Sequence, residues 1–193
     1  EWGNFSRVET TNVGSRQVGR RSMVNFAALV VRADSPVQVP QQFANVQIGV
    51  PFYSGTHYLC LQMLEGFVPR ELIKIGRVPN GSNYRFKMLM DKTIEATTLT
   101  EPYISLAEKM GCRLVISAFH HGTDVASERV DAETYVAFNR AIREAVRRVM
   151  GNKRAYMHYF IDYYRDKDPK FCQLTIDNLR ESRLYLLHPA PDP

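Results

Sequence analysis

Long hydrophobic runs are missing from this 193-residue chain. None approaches the about 20 apolar residues that a membrane-spanning helix needs, so no span is expected. No secretory signal pattern is present either, although the chain begins at Glu1 rather than methionine and a leader removed beforehand would leave no trace. Cysteine is scarce. Cys60, Cys112 and Cys172 are odd in number and far apart, with neither a disulfide framework nor metal-ligand spacing. Three free, buried thiols in a reducing compartment are expected, which favours the cytoplasm; a removed leader would point to the periplasm instead. Neither a metal nor a cofactor is implied. The net charge of +5 is modest and spread out, densest at 16–21 and 140–154. The first stretch reads as a solvated turn and the second as the polar face of a helix. No recognition motif accompanies the charge, so nucleic acid is not an expected partner. Internal repeats and low-complexity segments are absent as well.

What is present suits a folded domain. A hydrophobic content of 45% is enough to bury a sizeable core, and one α/β domain with extensions is the natural reading. Residues 1–24 are polar and read as an arm. The run NFAALVVR at 25–32 is rich in strand formers and stops before the turn signal Asp34-Ser35-Pro36. Strands at 46–50, 72–75, 93–99 and 113–118 then alternate with helices at about 55–66, 82–90 and 102–110, a pattern of βαβ units and a mostly parallel sheet covered on both faces. From 131 to 150, Tyr135, Phe138, Ile142, Val146 and Val149 recur at helical spacing opposite a basic face. A tyrosine-rich helix at 153–164, suited to packing or to a partner, a short helix at 171–179 and an irregular proline-rich tail complete the chain. The expected organisation is an arm (1–24), an α/β ligand-binding lobe (25–130) and a helical extension with tail (131–193).

The most informative stretch is VPQQFANVQIGVPFYSGTH at 39–57. An apolar strand runs into a small-residue turn that opens a helix, and a helix start offers free N–H groups and a positive dipole end. Phe52 and Tyr53 are placed to stack on a flat ligand. Ser54, Gly55 and Thr56 are placed to hold an anionic group, and His57 lies on the first helical turn. The alternative is an ordinary N-capped helix with core aromatics.

The order of these segments resembles a known fold. V-P-x-x-F-x-x-V-x-I-G-V-P (39–51), S-G-T-H (54–57), Gly81-Ser82 followed by Arg85, and I-E-A-T-T-L-T-E-P-Y (94–103) are together similar to the periplasmic-binding-protein-like (type 2) fold. The closest branch is that of the substrate-binding proteins of nitrate, sulfonate and taurine ABC importers and the thiamine-pyrimidine precursor proteins. The resemblance implies a cleft between two lobes, lined by the turn after I-G-V and by the segment at E-P. Family members carry a first lobe before the segment equivalent to 25–32, whereas here 24 residues precede it. The chain is therefore expected to be a fragment, or one subunit whose cleft is completed by a second polypeptide. The D-G-x-I-D-A signature of the family reads Asp91-Lys92-Thr93-Ile94-Glu95-Ala96, which loses the glycine and is expected to alter the turn only.

Further candidates follow the strands. Glu101, before Pro102 at a strand's carboxyl end, suits a ligand amine or general-base work, and equally a structural carboxylate at a helix start. His120 and His121 follow the strand at 113–118, and neighbours on an extended segment point opposite ways, so at most one faces a cleft. His57 and Glu101 are the catalytic candidates. Phe52, Tyr53, Ser54, Gly55, Thr56, His120 and His121 are the ligand-binding candidates. Cys60, one turn beyond Thr56, reads as core. Two functions stay open: binding of a small anionic or aromatic organic ligand, or a subunit of a heteromeric lyase, hydrolase or decarboxylase on the same fold.

Overall fold

The computed structural model describes residues 15–188. The expectations for 1–14 and for the tail beyond 188 lie outside the described residues. Six strands, β1 (Ser15–Val31), β2 (Gln47–Val50), β3 (Lys74–Arg77), β4 (Ala96–Thr100), β5 (Arg113–Ser127) and β6 (Tyr185–Leu186), form one sheet. Five α-helices accompany them: α1 (Gly55–Leu64), α2 (Ser82–Met90), α3 (Tyr103–Lys109), α4 (Ala132–Gly151) and α5 (Lys153–Arg165). No helix among the described residues is long and apolar enough to cross a membrane.

The main path of the sheet is β3-β2-β4-β1-β5, with β6 on β1. Alternation along β1 sorts its side chains. Phe26, Ala28 and Val30 join a core with Phe86 and Leu89 of α2 and Ile104 and Leu106 of α3. Ala27, Leu29 and Val31 join a core on the opposite face with Leu59, Cys60, Met63 and Leu64 of α1. Each of these Leu and Val side chains contributes about 1.5–3 kcal/mol by leaving water, which is why a strand in the middle of the sheet reads as an unbroken apolar run. Gly49 of β2 is obligatory in this packing, because a Cβ there would sit 2.9 Å from Ile94.

The α/β class therefore holds, with one change to the sheet. Parallel pairing is confined to β2 with β3 and β2 with β4, whereas β1 runs antiparallel to β4, β5 and β6. Apolar content shows that a strand is buried but not which way its neighbours run. β1 also begins earlier than expected. Residues 15–24, read as part of an arm, with 16–21 as a turn, are strand and pair with β5 as far as Ser15↔Ser127. Beyond Ala27↔Thr100, where β4 ends, β1 and β5 continue together as a ribbon that β6 joins.

Two arginines close the amino-end edge of the parallel strands. Arg32 reaches the carbonyls of Leu89 and Ile94 and the carboxylate of Glu95, and Arg113 reaches the carbonyls of Ala33, Ser35 and Val37. Lys92, where the family signature has glycine, adopts the left-handed conformation itself (φ 61°), and its amine meets Asp34 at 2.6 Å. The expected helix at 171–179 is instead 3-10 turns, Pro169–Gln173 and Ile176–Asn178. Phe171 and Leu174 from this segment plug the α2/α3 core. Cys60 and Cys112 are buried as expected, but Cys172 is exposed, because Phe171 takes the inward position of its turn.

Candidate functional site

β2 hands the chain to α1 on one face of the sheet, and its neighbour β4 hands it to α3 on the other. Where the connections of adjacent parallel strands part in this way, a crevice opens outside their carboxyl ends, the place where open α/β sheets bind ligands. The turn at 52–57 stands on one side of this crevice and Glu101 starts the connection on the other.

Within the turn, Tyr53 is held at φ 59°, a left-handed conformation rare for a bulky residue, and its side chain is 75% exposed. Its N–H donates to His57 Nδ1 at 3.1 Å, which fixes the tautomer with the proton on Nε2. Burial, with Arg70 nearby, holds the His57 imidazole below its ordinary pKa and so neutral. Phe52 stacks on that ring at 5.3 Å and Tyr58 stacks on its neighbouring side at 5.7 Å. Ser54 is the N-cap of α1: its Oγ donates to the Pro51 carbonyl at 2.6 Å, accepts from His57 N–H at 3.3 Å and lies 2.9 Å from Thr56 Oγ1. Ser54, Gly55, Thr56 and His57 are half-buried, and Phe52 and Tyr53 are exposed. The six residues form one group. Cys60, below them, is wholly buried with its thiol pushed up to about 12, so no thiolate nucleophile forms there.

The other candidates are more dispersed. Both carboxylate oxygens of Glu101 are engaged: Oε1 accepts from Arg183 at 3.1 Å, and Oε2 accepts from the N–H and hydroxyl of Ser105 at 3.1 and 2.8 Å. Its side chain is 6% exposed. This arrangement ties the start of α3 to the C-terminal segment. His120 and His121 do not follow β5 but lie within it, opposite Asn25 and Val24. His120 shares the α1 face with the Ala27↔Ala118 pair and is 3.3 Å from Asn25 Nδ2, whereas His121 is exposed on the other face.

One residue at this edge escaped the sequence-based site list. Arg85 of α2 is 2% exposed. Its Nε donates to the Thr98 carbonyl at 3.0 Å, one residue beyond the last β2–β4 pair Gly49↔Thr97, and its Nη2 donates to Ser82 Oγ at 3.1 Å. Burial draws its pKa down to about 10, with no carboxylate to restore it. The signal was legible: Arg85 precedes Phe86 and lies one turn before Leu89, both wholly buried, so a charged residue occupies the apolar stripe of a short helix.

No protein-family model and no curated protein matches the chain. Solved structures do. The periplasmic aliphatic sulphonate binding protein SsuA from Escherichia coli is 15% identical with a TM-score of 0.62, over 95% of this chain and 63% of its own. The alkanesulfonate-binding protein SsuA from Xanthomonas axonopodis pv. citri, bound to MOPS, is 12% identical with a TM-score of 0.69, over 95% and 64%. An ABC transporter protein from Parabacteroides distasonis is 13% identical with a TM-score of 0.58, over 96% and 65%. The chain spans less than two thirds of the length of each. Its fold is that of a periplasmic-binding-protein-like lobe, shared with sulfonate-binding proteins over part of their length.

Proposed function

We propose that this chain binds a small organic ligand, anionic or aromatic, at the carboxyl edge of β2 and β4, as one wall of a substrate-binding cleft. The observation that carries this reading is the strained turn at 52–57, with its two exposed rings, standing at the switch point of the sheet. The rings suit a flat group such as a pyrimidine or an aromatic acid, and the α1 start suits a carboxylate, sulfonate or phosphate. The sulfonate-binding proteins of the same fold support the anionic choice.

A second body, another polypeptide or lobe, completes the cleft in this reading. The β1/β5 ribbon beyond β4 and the apolar side of α4, where Phe138 is 54% exposed, support it. An enzymatic reading rests on His57 alone: a neutral imidazole whose Nε2–H has no partner among the described residues can donate to a substrate.

The test is an NMR titration of the full chain with sulfonates, carboxylates and phosphate esters. Shifts at the amides of 52–57 are expected. A ligand that binds while leaving those amides unmoved refutes the site. His57→Ala separates the two functions, since an enzyme loses turnover far more than affinity and a binder has only affinity to lose.

A further inference from the structure

We infer that Arg85 is the anion-recognition group of this crevice, its unpaired guanidinium donors acting with Ser82 and the first turn of α2 to hold the oxyanion of a sulfonate, carboxylate or phosphate group. This rests on the ligand-binding reading above and names the side chain that supplies the charge.

Two arginines are buried among the described residues, and they differ in one respect. Arg183 is matched by Glu101 and Glu108 at 2.6–3.1 Å. Among the described residues Arg85 has no carboxylate partner and only two neutral acceptors, the Thr98 carbonyl and Ser82 Oγ. Its Nη1 makes no hydrogen bond among the described residues. A buried charge without a counter-ion is costly, and an apolar side chain of similar volume generally serves packing as well or better. The fold therefore gains little from this arginine as a core residue. A planar fork with an unpaired edge is, by contrast, suited to a bidentate oxyanion.

The backbone points the same way. α2 starts at Gly81 (φ 115°) with no side-chain cap, so the N–H groups of its first turn are unclaimed by a cap, whereas Ser54 caps α1. Ser82 Oγ, already receiving one Arg85 hydrogen bond, can turn its own hydrogen to an anion beside it. The Arg85–Thr98 bond sets the guanidinium at the end of the β2–β4 ladder, beside the departure of the chain into the 52–57 turn. The rings of that turn are left to hold the organic body of the ligand.

Butanesulfonate, pentanoate and butyl phosphate, with methyl butyl sulfone as a neutral control, are titrated into the full chain and its R85M and R85K variants, following backbone amides and the Arg85 Nε–H signal. At least one oxyanion is expected to move the Arg85 signal and the amides of 82–85, the sulfone to move neither, and R85M to bind about 10- to 100-fold more weakly with an unchanged or raised melting temperature. Which oxyanion binds tightest identifies the class. Equal affinity in R85M, with shifts at 52–57 intact, overturns this inference and leaves the ligand-binding reading standing. Absence of any shift with all three anions overturns this inference together with the anionic form of the ligand-binding reading. Should R85M not fold, R85K decides: it keeps the charge and loses the fork, and wild-type affinity in it with the amides of 82–85 unmoved overturns the assignment.

Discussion

The sheet with its flanking helices and the C-terminal helices are built on opposite terms. Residues 26–31 of β1 are nearly all sealed between two cores, although strand patterning alone could not say what would cover either face. α4 has the clearest amphipathic pattern in the chain, yet of its twenty residues it buries only Asn139 and Val146. α5 behaves similarly: Met157 and Ile161 pack on Leu179, while Tyr159 and Tyr163 stay exposed. A hydrophobic stripe records that a face needs cover. It does not record whether this chain provides it.

The sharpest break in this comparison lies where the two regions meet. Arg183, from the C-terminal segment, is held by Glu101 and Glu108 of the sheet lobe and stands over the Phe26 ring at 5.1 Å. Arg183→Leu leaves the buried Glu101 carboxylate without a cation, while Glu108 keeps Arg180, and is expected to cost about 3–5 kcal/mol in urea unfolding. A loss below 1 kcal/mol would show that the segment docks without the pair. The same contact gives a pH signature. Arg183 holds the Glu108 carboxyl below its ordinary 4.5, so this stabilisation is complete above that value and is lost as pH falls through the lower folded-state value. Acid unfolding of Arg183→Leu should lack that component.

Next in size is Leu29→Ala in the middle of the sheet, expected to cost about 2–5 kcal/mol because neighbours on both faces limit collapse into the cavity. A smaller effect is expected at the crevice. Thr56→Val removes one hydroxyl and should weaken binding of a charged ligand by about 1.5–3 kcal/mol, with stability measured alongside to separate the two effects. Smallest is Phe138→Ser on α4, expected to change the stability of this chain by no more than about 0.5 kcal/mol while weakening association with whatever covers that face. Native mass spectrometry of the protein taken from its source reads the second part. A large stability loss for Phe138→Ser would erase the contrast between the regions.

Much of the fold was legible. The helices at 82–90 and 153–164 fall within a residue of their expected limits, and the turn at 52–57 opens a helix as its small residues indicated. The histidines at 120 and 121 were harder to place. A β-ribbon that continues past the sheet is set by pairing with a distant strand, and the local pattern stops at Ala118. Glu101 was recognisable as a carboxylate at a strand's end, but its partner Arg183 is 82 residues away and no spacing rule joins them.

Periodicity, capping and turn chemistry act over a few residues, so the alternation of strands and helices, the apolar run that became the central strand and the helix-opening turn are all written locally in the chain. Only the assembled fold shows that β1 runs antiparallel between β4 and β5, that the connections part between β2 and β4, and that no carboxylate among the described residues meets Arg85. Those outcomes depend on which distant groups come to share a hydrogen bond or a common loss of water, and no local pattern carries that information.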